Sequence, residues 1–136
     1  MALGKRKRAS QTQLWVATQN LAAPGHPFYK KLNRVLDKHG FDEFVEAQCA
    51  KYYSEGVGRP GIPPGVYFRL LMIGYFEGIS SERAIAWRGA DSLSLRHFLG
   101  YELDQATPDH SSVSRTRRLL DYQTHQEVFD WVLKVL

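Results

Sequence analysis

The sequence predicts an all-α fold. Near the start of the patterned region, apolar side chains recur at Phe28, Leu32, Val35 and Leu36, the i, i+4, i+7, i+8 spacing of one helix face. No segment of any length alternates apolar and polar residues as a half-buried strand does, and no internal repeat is present. We therefore expect a single multi-helix domain over residues 26–136, preceded by an arm.

The first two helices are expected on either side of Gly40. The first begins at Pro27, because proline suits the first turn of a helix, and it ends at Gly40, a favourable C-terminal cap. The second runs over about residues 41–52. Residues 54–65 then form the clearest break in the chain, since they hold four glycines and three prolines.

The third helix is expected from about Pro64 to Glu77 and is apolar around almost its whole circumference, which is typical of a helix at the centre of a core. Gly78 ends it. A fourth helix is expected to be capped by Ser80 and to stop at Gly89. A short fifth helix runs over residues 92–99.

The last two helices are expected at about 110–121 and from Gln123 to the end of the sequence. Asp109 or Ser111 caps the first of them. The last helix is amphipathic, and its apolar residues form two edges, Val128, Val132 and Val135 on one and Phe129, Leu133 and Leu136 on the other.

The sixth predicted helix carries the pattern most informative about function. On a helical wheel, Ser111, Arg115, Arg118 and Tyr122 fall within an arc of roughly 60°. The opposite side holds Val113, Thr116 and Leu120. One face can therefore pack while the other presents hydroxyl and guanidinium groups. That layout suits a helix in a DNA major groove, although a solvated basic surface is the alternative interpretation. The predicted DNA contacts are Ser111, Ser112, Ser114, Arg115, Arg117 and Arg118.

Two helix pairs are candidates for a helix-turn-helix-like C-terminal half. In the first, the helix over 92–99 supports the sixth helix, across a loop longer than the usual turn of about 3–4 residues. The competing pair spans residues 80–99, with the small residues Ala84 and Gly89 at its close contact. Its second helix offers Ser92, Ser94, Arg96 and His97.

Residues 1–25 are expected to be a flexible basic arm. The formal net charge is +4, and Lys5, Arg6, Lys7 and Arg8 alone equal it. Such an arm can follow phosphates or enter a minor groove, and a solubilising tail is the alternative. The run over residues 58–60, Gly-Arg-Pro, is similar to a short minor-groove element, but a lone copy without flanking basic residues favours a structural loop.

The remaining composition argues against several classes of protein. Cys49 is the one cysteine, so an internal disulfide framework is excluded and a cytoplasmic location is favoured. The longest apolar-rich stretch, residues 66–76, is too short to span a bilayer. The five histidines share no metal-ligand spacing, and no strained nucleophile turn or phosphate loop is present. We therefore expect no catalytic residue, metal or cofactor in this chain.

Over about residues 26–136, the chain resembles the N-terminal domain of InsH-type insertion-sequence transposases. Five runs carry the resemblance: GRPGIPP from residue 58, RLL from 69, GYFEGIS from 74, RHFLG from 96 and PDHSSVSR from 108. The last is the most specific. Asp109 matches the Asp that starts a helix in the family's motif, not a metal ligand.

The resemblance implies a helical domain that binds the terminal inverted repeats of an insertion sequence. It also implies that an RNase H-like domain with Asp, Asp and Glu on two divalent metals, such as Mg²⁺, follows beyond this chain. We expect the chain to stop before that domain. The alternative is a regulatory module that pairs with a second copy or with full-length transposase, suggested by the apolar edge of the last helix. A complete enzyme is the least favoured reading.

Overall fold

A computed structural model describes residues 1–6, 25–53 and 61–136. Within these residues the chain is helical and contains no β-strand, which confirms the predicted all-α class. The α-helices are α1 (Pro27–Lys38), α2 (Phe41–Cys49), α3 (Pro64–Glu77), α4 (Glu82–Asp91), α5 (Leu93–Leu99), α6 (His110–Leu119) and α7 (Tyr122–Val135), and a 3-10 turn (Ala50–Tyr52) extends α2.

Helix α4 begins and ends later than the sequence predicts. The cap is Ser81, whose hydroxyl accepts a hydrogen bond from Ala84 N, and not Ser80. The linker between α3 and α4 is one residue longer than predicted. Its Ile79 N donates to Gly74 O in the last turn of α3. Gly89 does not stop α4 either. It lies inside the helix, where a Cβ would be 3.1 Å from Leu99 Cδ1, so its role is close packing, as the small-residue interpretation predicts.

The boundary between α6 and α7 also differs from the prediction. Helix α6 ends at Leu119, because Leu120 is extended and Asp121 caps α7 through a 2.7 Å bond from Thr124 N. Tyr122 is therefore the first residue of α7 and does not extend the serine-arginine face of α6. Of the two residues predicted to cap α6, Asp109 and Ser111, the structure has Asp109, whose carboxylate accepts a hydrogen bond from Ser112 N at 2.8 Å.

Helix α3 lies at the centre of the fold and packs against α2, α4 and α5. Tyr67, Phe68 and Ile73 on it are fully buried, as an apolar circumference predicts. Its C-terminal turn departs from that expectation, because Tyr75 is 66% exposed and Phe76 is 36% exposed. Around α3, helix α1 packs on α2, α5 and α7, and helix α4 packs on α5 and α6.

The core also contains a charged residue, Arg69 of α3, which is only 5% exposed. Its guanidinium donates to Asp42 of α2 at 2.9 Å and to Asn33 of α1 at 2.9 Å. The same group lies over the rings of Phe41 and Phe98, with its central carbon 5.2 and 5.8 Å from their centroids. One side chain thus joins α1, α2, α3 and α5.

We predict that Arg69→Met lowers the free energy of unfolding by about 2–3 kcal/mol, because it leaves Asp42 and Asn33 without their partner. Denaturant unfolding followed by circular dichroism measures this. The matched control is Arg34→Met, an exposed arginine on α1, expected to change stability by less than about 0.5 kcal/mol. Equal stability of the two variants would contradict the role given to Arg69.

Candidate nucleic-acid interface

Helix α6 is anchored on α4 by one carboxylate, that of Glu82. Ser114 Oγ donates to Glu82 Oε2 at 2.6 Å, and Arg117 Nη1 lies 3.3 Å from Glu82 Oε1. At the N-terminal end of the helix, Arg83 Nη2 lies 3.3 Å from His110 Nε2. Two of the six residues predicted on α6 for DNA contact, Ser114 and Arg117, are therefore placed against α4.

The outer face of α6 presents Ser111, Arg115 and Arg118, all of them exposed. Arg115 Nη2 donates to the half-buried Ser112 Oγ at 3.3 Å, which keeps a hydroxyl and a guanidinium next to each other. The inward side holds Val113, Thr116 and, directly after the helix, Leu120, all buried as the helical wheel predicts. The surface so formed has hydroxyls near the helix N-terminus and cations further along.

The first turn of α6 is fixed by Asp109. The backbone N–H and the hydroxyl of Ser112 hold the pKa of this carboxyl below its usual range, with smaller contributions from His110 and Arg115. An ionised carboxylate at a helix N-terminus is also favoured by the helix dipole. The position of the Ser111 and Ser112 hydroxyls therefore depends on a charged cap.

Beneath α6, Tyr67 of α3 and His125 of α7 are joined, with 2.7 Å between Tyr67 Oη and His125 Nε2. Burial raises the pKa of Tyr67 to about 12, against an opposing effect of the Arg117 guanidinium. The phenol is therefore protonated at neutral pH, and it joins the central helix α3 to α7.

The helix that supports α6 is α4, and not α5 as the first predicted helix pair requires. The ten residues between α5 and α6 let α5 pack on α1, α3 and α4 instead. The polar residues of α5 are mostly engaged inside the protein. Ser92 caps α5, and Ser94 Oγ accepts a hydrogen bond from His26 N. The Arg96 guanidinium donates to three backbone carbonyls, those of Ala90, Glu102 and Gln105. His97, by contrast, is exposed.

Parts of the N-terminal prediction fall outside the described residues. Lys5 and Arg6 are exposed, while Lys7, Arg8 and most of the arm over 1–25 are not described, and neither is the Gly-Arg-Pro run at 58–60. In the described ranges, no three histidine, cysteine, aspartate or glutamate side chains group closely enough to hold a metal ion. Among the same residues, no helix has the length and apolar character needed to cross a membrane.

These features define a small helical domain in which a serine-arginine helix is held on a second helix with its cationic side outward. A comparison with protein-family models identifies the family: the chain belongs to the family described as Transposase domain (DUF772), whose model matches residues 16–119. The match ends with the last residue of α6. Searches of curated proteins and of solved structures each found no match.

The sequence pattern does not predict Glu82 as a residue that joins α4 to α6. Its partners lie 32 and 35 positions further along the chain, so no local spacing connects them. A signal was nevertheless present, because Ser114 and Arg117 are three residues apart on α6 and lie on the same side of the helix.

We predict that Asp109→Ala lowers the melting temperature by a few degrees, whereas Asp109→Asn, which keeps a capping oxygen, changes it less. The pH dependence is a second signature. Because the folded pKa is lowered, the stability from Asp109 is complete above its unfolded value of about 3.9 and is lost as pH falls through the folded value. Thermal melts from pH 5 to 2 should therefore fall more steeply for the wild type than for Asp109→Asn; parallel curves would exclude a charged cap.

Proposed function

We propose that this chain is the DNA-binding part of an InsH-type transposase and that it recognises the terminal inverted repeats of an insertion sequence in double-stranded DNA. In this proposal α6 is a recognition helix that enters the major groove, and α4 is the helix that supports it. The chain acts in the cytoplasm, as its single buried thiol, Cys49, suits.

The observation that carries the proposal is the outward face of α6. Ser111 and Ser112 lie in the first turn, where the residues of a recognition helix reach base edges. In this proposal Arg115, one turn further on, pairs with the O6 and N7 atoms of a guanine, and Arg118 contacts a phosphate. Lys5, Arg6, Lys7 and Arg8 add phosphate contacts from the arm. Because Glu82 holds Ser114 and Arg117 on the flank of this face, the face is presented in a fixed orientation.

In this proposal, strand cleavage and transfer belong to a separate RNase H-like domain of the DDE class, whose carboxylates hold the divalent metal ions. No catalytic residue is assigned to the present chain. Its contribution is to choose the DNA ends, so we expect binding without cleavage.

We predict that Arg115→Ala weakens binding to an inverted-repeat duplex by about tenfold and reduces its preference over a scrambled duplex, since one bidentate arginine contributes about 1–3 kcal/mol of discrimination. Arg118→Ala should weaken binding to both duplexes equally. Gel shifts at fixed salt measure both effects.

The matched control is Lys51→Ala with Lys134→Ala, which removes two exposed cations away from α6 and should leave the preference unchanged. If the Arg115→Ala, Arg118→Ala double variant binds the inverted repeat as the wild type does, α6 is not the recognition helix.

A second candidate function, pairing with another copy or with a full-length transposase, is favoured by an apolar surface on α3 and α7. Tyr75 and Leu133 are 66% and 59% exposed, and Leu136 is 56% exposed. Tyr75 and Leu133 border a cleft of about 330 Å³ whose walls include Phe129 and Met72. Exposed apolar patches of this kind are typical of protein interaction sites.

We predict that Leu133→Lys abolishes self-association of the chain, because it places a charge at the centre of this surface, while the melting temperature of the monomer changes little. Sedimentation equilibrium across a concentration series measures the association. A wild-type chain that stays monomeric at high concentration and has no effect on transposition by an intact transposase would exclude the regulatory function.

A further inference from the structure

Helix α1 bears a basic stripe that is separate from α6. Lys30, Arg34 and Lys38 follow the N-cap residue His26 at intervals of four residues, and all four are exposed. Because His26 Nδ1 accepts a hydrogen bond from Phe28 N, the positive charge of the stripe comes from the other three residues. Four residues advance a helix by about 6 Å, so the stripe runs along the whole of α1 on one side. Its repeat matches a linear array of negative charges better than it matches a single small anion.

The stripe is unfavourable for the helix itself. Like charges four residues apart destabilise a helix by about 0.2–0.5 kcal/mol for each pair. The one carboxylate on this helix, Asp37, lies beside the stripe, with its side chain 66% exposed and its Oδ1 3.4 Å from Arg69 Nη2. Lys30, Arg34 and Lys38 outnumber it, so the surface of α1 has an excess of positive charge, which indicates an anionic partner.

Opposite the stripe, α5 forms the second wall of a cleft of about 760 Å³. The two helices are joined by His26 N to Ser94 Oγ at 2.7 Å and by Asn33 Nδ2 to Phe98 O at 3.3 Å. Lys30, Arg34 and Arg96 line this cleft together with the exposed His97, so basic groups stand on both walls. Two carboxylates, those of Asp37 and Glu102, line it as well.

We propose that the α1–α5 cleft binds the phosphate backbone of a nucleic-acid strand, as a contact surface additional to α6. The inference rests on the proposed function in one respect, that the chain binds DNA. Its chemistry is independent of base sequence: Lys30 and Arg34 in the cleft pair with successive phosphates, Lys38 continues the row at the end of α1, and His97 approaches from the other wall. Such contacts determine affinity and position and do not read bases.

An anionic lipid surface is the other large array of phosphates, and the fold disfavours it. A membrane-bound helix inserts an apolar face beside its basic one. In α1, the apolar residues Tyr29, Leu32 and Leu36 are buried in the core, so that face is occupied. Phosphate binding by the backbone of a nucleic acid requires only the exposed cations.

The test is the salt dependence of binding by the full chain to a 20-base-pair duplex of unrelated sequence, measured by fluorescence anisotropy. Each phosphate contact contributes about 0.9 to the slope of log affinity against log salt concentration. The Lys30→Ala, Arg34→Ala, Lys38→Ala variant should therefore lower the slope by about 2.7. The control is Lys31→Ala, Lys51→Ala, Lys134→Ala, which removes the same charge from exposed positions outside the stripe and should leave the slope unchanged.

A smaller slope for the cleft variant alone supports the proposal. The same slope in the wild type and the cleft variant, or an equal fall in the control, overturns it. Binding to phosphatidylserine vesicles that depends on the stripe, with no change in the DNA slope, overturns it in favour of a lipid. If the wild type binds no duplex at all, the proposed function itself fails, whereas DNA binding that ignores the stripe removes only the cleft.

Discussion

The buried guanidinium of Arg69 fixes how four of the seven described helices meet. It lies on the central helix α3, and its partners Asn33, Asp42 and Phe98 come from α1, α2 and α5. A buried cation must satisfy its donors, so these helices can approach only where their acceptors meet it. Gly65 on α3 leaves room for the Asp42 carboxylate that pairs with Arg69, because a Cβ at this position would collide with that carboxylate. The relative placement of the basic stripe and the α5 wall follows from this interaction.

Helix α4 connects the helices around Arg69 to α6, because it packs on α3 and α5 as well as on α6. Gly89 brings α4 close to α5 and to Leu70 of α3, and Glu82 at the other end of α4 holds Ser114 and Arg117. The serine-arginine helix is therefore attached through its side rather than through a tight turn from the preceding helix. This arrangement explains how the long loop before Pro108 is compatible with a fixed orientation of α6. The family match to residues 16–119 includes this entire assembly.

Local patterns in the sequence predicted the helices well and their contacts poorly. The spacing of Val113, Thr116 and Leu120 correctly predicted the inward side of α6, and Asp109 correctly predicted its cap. Both depend on residues within one or two turns of each other. The pairing of α6 with α4 and the network around Arg69 depend on partners 27 to 36 positions apart, which the local spacing of a helix does not connect. Gly89 was misread as a helix end because close packing and capping favour the same residue.

Nuclear magnetic resonance tests whether α6 presents the proposed DNA-binding face while α4 holds the flank of that helix. A titration of the isotope-labelled chain with an inverted-repeat duplex maps the contacts onto individual residues. The account predicts the largest shift changes at Ser111, Ser112, Arg115 and Arg118, with Val128 and Val132 of α7 unaffected. Shift changes confined to α7, or an α6 that does not respond to the duplex, would contradict it.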